Sequence, residues 1–334
     1  MTTSLEIHLA SRPHGAPVAE NFALVETPLP DPGPGQLLVR NDLLSVDPYM
    51  RGRMNDAKSY VAPYEVGQAL EGGAVGEVLA SSAPGFAPGD HVLHGLGWRS
   101  HALVTATSAA KIDPAVAPLG AYLGVLGMTG LTAYAGLLRT AEFREGDAVW
   151  VSSAAGAVGQ VVVQLARLRG ASRVIGSAGS PEKVDWLRDE LGVDAAFDHH
   201  DGRVRDLLKA AAPDGIDVYF DNVGGDHLEA AISALKVHGR VCVCGMISVY
   251  NATGPVPAPR NLSQLIGKRL TVRGMLVRDH QDLRDQFLAE VGPLVADGRL
   301  RYQETVHDGI ANTADVFMAM LRGEAGPGKI LVRV

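Results

Sequence analysis

One stretch, residues 147–183, restricts what this chain can become more than any other. It opens with Ala148-Val149-Trp150-Val151-Ser152, an apolar run with the length and composition of a buried parallel strand. The small-residue turn Ser153-Ala154-Ala155-Gly156-Ala157-Val158-Gly159 follows. Val161, Val162, Leu165, Ala166 and Leu168 then recur at helical spacing, and Gly170 stands where a C-terminal cap would. Arg173-Val174-Ile175-Gly176 is a second apolar run. Strand, turn, helix, strand is the unit that binds dinucleotides, with Gly156 and Gly159 in the last two positions of G-x-G-x-x-G and Ala154 in the first. A glycine at 156 lets the backbone approach a pyrophosphate, whose charge the helix N-terminus stabilises. Small residues at a tight turn also serve packing alone. The complete unit around them is what favours a nucleotide.

The tip of the second strand bears on which nucleotide. A site for NAD carries Asp or Glu there, accepting hydrogen bonds from the ribose 2′-hydroxyl. This tip reads Gly176-Ser177-Ala178-Gly179-Ser180 and holds no carboxylate. Lys183 follows one helical turn later, within reach of a 2′-phosphate as a point charge, or simply solvated at a helix start. The missing acid and the added base point the same way, to NADP.

With 334 residues the chain accommodates two domains with sizeable cores. A net charge of −7 without a basic run argues against nucleic acid or an anionic membrane as partner. The first residues lack a cationic segment followed by an apolar core, so no secretory leader is expected. The most apolar long stretch, 148–166, contains a polar turn and reads as strand and helix rather than a membrane span. Cys242 and Cys244 are too few for a four-cysteine zinc site, and a reducing, cytoplasmic compartment fits them. His91, His94 and His101 have no carboxylate or cysteine at ligand spacing, so they read as structural or surface residues, and no metal site is expected.

Along the chain, residues 1–123 read as β-rich, with turn clusters between short strands that suggest a small barrel. Strands are expected over 36–45 and 66–79, and a turn at 86–90 feeds another ending at His94. Apolar residues at three- and four-residue steps predict a helix over 122–138. Strands and helices then alternate to about residue 301, giving a Rossmann-type doubly wound parallel sheet. The tail, 302–334, returns to the first pattern, so the expected domains are 1–123 with 302–334, and 124–301. Residues 248–259 form the only long irregular piece, and such loops are often functional.

Five motifs carry a family resemblance over nearly the full length. They are Ser45-Val46-Asp47-Pro48-Tyr49-Met50-Arg51, Gly127-Met128-Thr129-Gly130-Leu131-Thr132-Ala133-Tyr134, the turn 154–159, Gly215-Ile216-Asp217-Val218-Tyr219-Phe220-Asp221-Asn222-Val223-Gly224-Gly225, and Cys244-Gly245-Met246-Ile247-Ser248-Val249-Tyr250-Asn251. With them the chain resembles the zinc-independent medium-chain dehydrogenase/reductases, in the branch of prostaglandin reductases (leukotriene B4 12-hydroxydehydrogenases), alkenal double-bond reductases and curcumin reductases. Zinc alcohol dehydrogenases of that superfamily have a cysteine in the region of Val46-Asp47-Pro48 and a Gly-His-Glu where this chain has Val66-Gly67-Gln68.

The resemblance implies a GroES-like substrate domain beside the Rossmann domain, and NADPH-dependent reduction of the C=C bond of an α,β-unsaturated ketone or aldehyde. Ala157, Val158, Gly159 and Gln160 would cradle the pyrophosphate, which Gly156 lets the backbone approach. Ser180, Lys183 and His199 would meet the 2′-phosphate side, His199 standing where the family has a tyrosine. Asn222 would lie on the adenosine side, and Cys244, Met246, Tyr250, Met275, Leu276 and Val277 would line the nicotinamide half. Tyr250 would either donate to the enolate oxygen, alone or with a cofactor ribose hydroxyl, or merely wall the pocket. Tyr49 and Arg51 would border the substrate, with Arg51 meeting a substrate carboxylate or, preferably, an internal ion pair with Asp47. An asparagine usual before the final Gly-Lys corresponds to Gly326, which removes one amide contact. A homodimer through the edge segment 270–277 is expected. A quinone reductase and a non-catalytic NADPH-binding sensor remain the alternatives.

Overall fold

Turn-marked alternation in the first third of the chain gives seven short strands in the computed structural model, which describes residues 2–334. They are β1 (Thr2–Leu9), β2 (Phe22–Leu29), β3 (Gln36–Ser45), β4 (Ala74–Ser81), β5 (His91–His94), β6 (His101–Thr105) and β7 (Ala110–Ile112). Strands alternating with helices follow as β8 (Ala148–Val151), β9 (Arg173–Ala178), β10 (Ala195–Asp198), β11 (Ile216–Asp221), β12 (Leu235–Val243) and β13 (Thr271–Gly274). The tail supplies β14 (Glu304–Asp308) and β15 (Lys329–Arg333). Two units result: Met1–Gly124, Asn251–Thr253 and Glu304–Val334 in one, Val125–Tyr250 and Gly254–Gln303 in the other.

The first unit is the GroES-like one. Its sheet runs β14-β15-β3-β4-β5-β7, with β6 also paired to β3. β3 is long enough to pair with β6 along Gln36–Arg40 and with β15 at Leu43–Ser45, so the sheet wraps about it. The β1–β2 hairpin joins through single bridges, Glu6 to Arg99 and His8 to Ala69. Trp98, fully buried, meets Phe317 edge to face at 5.6 Å and stacks on Phe22 at 6.2 Å, at the centre of the core. Burying side chains of this size contributes about 2–3 kcal/mol each.

Two sequence expectations need correction. The strand expected over 66–79 begins only at Ala74. Before it, a Cβ at Gly97 would stand 2.9 Å from Gly72 O, so this segment makes close backbone contacts instead of a ladder. The helix expected over 122–138 is two helices, Leu119–Leu123 and Met128–Ala135, the second running on through Gly136–Thr140. Gly124 has φ −113° and ψ −113°, outside helical values, and separates them.

The second unit holds a six-stranded parallel sheet in the order β10-β9-β8-β11-β12-β13. All four residues of β8 are buried, as its apolar run demands. Trp150 stacks on Tyr219 at 4.4 Å, and Ile175, Phe197, Leu208 and Ile216 close the core around them. β8 and β11 are neighbours in space but not in sequence. That reversal of strand order is where open α/β sheets bind ligands.

Candidate cofactor site

The parallel strands end in register. Val151 lies opposite Gly176 and Phe220, Ala178 opposite Asp198, and Val243 opposite both Asp221 and Gly274. Each strand therefore delivers its following residues to one edge of the sheet. Gly156 to Gly159 come after β8, Ser180 and Lys183 after β9, and His199 after β10. Asn222 comes after β11, Cys244 and Met246 after β12, and Met275, Leu276 and Val277 after β13.

The turn after β8 is shaped by contact, and glycine is required at one place in it. A Cβ at Gly159 would run into Ser153 O and Ala154 Cα, so the helix Gly159–Leu168 seats against the turn only with a bare backbone there. Ala154 packs on β9, where a Cβ at Gly176 would come within 2.9 Å of its own Cβ. The alanine in the first fingerprint position is thus tolerated because its neighbour is a glycine. The backbone N–H groups of Ala157, Val158 and Gly159 lie at the helix start, where no earlier intrahelical carbonyl exists for them. Gln160 is held from both ends. Its N–H donates to Gly156 O at 3.0 Å, and its side chain is fixed to Gln303 N (2.9 Å) and Gln303 O (3.2 Å). The Gln160 side chain is thereby engaged within the protein.

After β9, the Ser180 hydroxyl accepts from Lys183 N at 3.4 Å and Pro181 opens a short helix, which fixes Lys183 in its first turn. Burial holds the Lys183 ammonium below its usual range, while Glu182 and Asp198 pull it back up. His199 Nδ1 lies 2.6 Å from Ala178 O. A carbonyl only accepts, so Nδ1 donates to it and Nε2 is the ring nitrogen left to face a ligand.

At the switch point lies a buried polar knot that sequence reasoning missed. Asp221 Oδ1 accepts from Tyr219 Oη (2.7 Å), Gly224 N (2.7 Å) and Val223 N (3.0 Å). Tyr219 Oη also reaches Ser152 Oγ at 2.9 Å, and Asn222 donates from N to Ser152 Oγ (3.0 Å) and from Nδ2 to Ser152 O (2.7 Å). Burial, partly offset by these bonds, raises the Asp221 carboxyl above its usual range. The knot ties the tips of β8 and β11 together. Two polar side chains at alternate positions of a buried strand, 219 and 221, were the available signal.

At the other half of the edge, Tyr250 Oη accepts from Met246 N at 3.2 Å, so a backbone N–H polarises the phenol. Burial and Asp221 push the Cys244 thiol up to about 12, which leaves it a neutral thiol and no nucleophile. Met275 N donates to Val243 O at 2.9 Å and carries the segment after β13 back to the sheet.

Tyr49 and Arg51 belong to the first unit. Burial and the Asp47 carboxylate push the Tyr49 phenol far up, so it stays neutral. Arg51 is 2% exposed and donates to Asn251 Oδ1 (3.0 Å), Asn55 Oδ1 (2.7 Å) and Gly15 O (2.7 Å). It tethers Asn251, the residue after Tyr250, and makes no ion pair with Asp47. That expectation is corrected: Asp47 pairs with buried Lys329 at 2.7 Å and accepts from Ser45 Oγ. Gly326 has φ +103°, and a Cβ there would stand 2.6 Å from Thr305 Oγ1, so this backbone has no place for the family's asparagine.

Comparison with known proteins agrees with this architecture. Residues 6–112 match a family model described as the N-terminal domain of oxidoreductase, and residues 157–291 one described as zinc-binding dehydrogenase. The chain is 40% identical to the NADPH-dependent curcumin reductase of Escherichia coli, over 98% of this chain and 95% of that one. It is 41% identical to the NADP(+)-dependent 2-alkenal reductase of Nicotiana tabacum, over 90% and 88%. The crystal structure of CurA from Vibrio vulnificus in complex with NADPH superposes with a TM-score of 0.93 at 38% identity, covering 100% and 99%. The segment Val46-Asp47-Pro48 holds no cysteine, and Asp47 is committed to Lys329. The chain therefore belongs to the medium-chain dehydrogenase/reductase family, in the zinc-independent branch of curcumin, alkenal and prostaglandin reductases.

Proposed function

We propose that this protein reduces the C=C bond of α,β-unsaturated ketones and aldehydes with NADPH and without a catalytic metal. The observation that carries this proposal is likeness over the whole chain to reductases named for NADPH-dependent curcumin and alkenal reduction. The site fits the cofactor: a turn cleared by Gly159 and three helix-start N–H groups suit a pyrophosphate, and Lys183 with His199 suits a 2′-phosphate. When bound, the dihydronicotinamide supplies the hydride that adds to the β-carbon.

The chain's own part is to stabilise the charge that collects on the carbonyl oxygen. Tyr250 is the donor: its hydroxyl is held by Met246 N–H, and a neutral phenol donates to a developing oxyanion at neutral pH. Asn222 and Ser152 hold the strand tips rigid beneath it. A homodimer through β13 accompanies this proposal, because β13 is the sheet's edge and exposes Val272.

Tyr250→Phe tests the assignment. Turnover on an enone falls at least about tenfold while the NADPH dissociation constant stays within about twofold, as steady-state kinetics and cofactor titration would record. Unchanged turnover removes Tyr250 from the chemistry.

A further inference from the structure

β10 ends in Asp198-His199-His200, and one donor atom from each lies within 4.8 Å of the other two. Among the described residues no other three Asp, Glu, His or Cys side chains converge in this way. The two imidazoles are oriented. His199 Nδ1 is directed to Ala178 O at 2.6 Å, and His200 Nδ1 to Asp198 Oδ1 at 2.9 Å. Ala178 O only accepts, so His199 Nδ1 donates to it and Nε2 is the ring atom turned to a ligand, a backbone carbonyl being a usual outer partner of a metal-binding histidine. The His200–Asp198 contact is one that a shared metal would replace.

The rings share one space. Their centroids are 4.0 Å apart, and both lean over Gly179, where a Cβ would stand 2.9 Å from His199 Cε1 and 3.4 Å from His200 Cε1. Behind them His227, 5% exposed, meets the His199 ring edge-on at 5.3 Å, and its Nε2 is buried without a hydrogen-bond partner. The geometry points to a transition-metal site at the tips of β9 and β10, formed by His199, His200 and the Asp198 carboxylate.

Two nitrogens and one carboxylate select ions of the zinc, nickel or copper type over magnesium or calcium. Metal–nitrogen distances of about 2.0–2.1 Å require the donors to close inward. The His200 side chain, 67% exposed, turns at little packing cost. Lys183 and His199 are also the proposed 2′-phosphate contacts. Metal and NADPH therefore exclude one another, a consequence that rests on the proposed cofactor assignment.

Zn²⁺ titrated into the cofactor-free full chain, in competition with a chromogenic zinc indicator, tests the site without turnover. One ion per chain, with affinity at least about tenfold weaker in His200→Asn and in Asp198→Asn and unchanged in Cys244→Ser, supports it. Equal affinity in His200→Asn, no stoichiometric binding, or loss only in Cys244→Ser overturns it. His200 is exposed, so its variant folds even where Asp198→Asn does not. Repeating the titration at saturating NADPH separates the two claims: weakened zinc binding supports exclusion, and unchanged binding keeps the site but overturns the shared pocket.

Discussion

The role proposed for Lys183 rests on one local detail. Ser180 caps the short helix after β9 and so presents the ammonium in its first turn, beside the tip where other nucleotide folds place an acid. Lys183→Ala should weaken NADPH about tenfold or more and leave NADH nearly unchanged, so the ratio of the two Michaelis constants collapses. Equal effects on both cofactors would place the lysine elsewhere. The place of Lys183 in a first helical turn was legible because everything that sets it lies within a few positions of sequence. Arg51 and Asp47 were not. The true partner of Asp47 is Lys329, 282 positions away, and proximity in a motif favoured the wrong cation.

Among elements, the segment between β3 and the helix Tyr49–Arg53 is locked by that buried pair. Lys329 Nζ meets Asp47 Oδ1 at 2.7 Å and Val46 O at 3.2 Å. Removing one charge strands the other: Lys329→Met should cost about 3–5 kcal/mol in urea unfolding, and Asp47→Leu with Lys329→Met should recover most of it. An additive loss in the double variant would contradict the coupling. β5 carries a second dependence. His94 is buried, with Nε2 on Asn41 Oδ1 at 2.9 Å and Nδ1 accepting from Leu96 N at 3.1 Å, and burial pushes its pKa down to about 4. Below about 6.5 the unfolded chain takes up a proton that the native ring refuses until about 4. Its contribution is whole above 6.5 and lost as pH falls toward 4. The melting temperature should therefore drop from pH 7.5 to pH 5, and less steeply in His94→Gln. Strand β3 was readable from alternation alone, whereas the 66–73 segment was not, because close backbone contacts leave no periodic signal.

For the whole molecule, the alternation of strands with helices already implied a parallel sheet, and a register that aligns the strand ends gathers the scattered candidates at one edge. What the sequence could not display was the polar support beneath that edge, the Ser152–Tyr219–Asp221–Asn222 knot, which depends on neighbouring strands that only the fold brings together. No helix among the described residues is long and apolar enough to cross a membrane. One assay reaches the proposed reaction directly: cofactor oxidation with a simple medium-chain enone, run with NADPH and NADH, with and without a chelator, and with the product identified. Rapid, chelator-insensitive oxidation that prefers NADPH and yields the saturated ketone is the predicted result. Measurable NADPH binding with no oxidation across an enone panel, or an allylic alcohol as product, would contradict it.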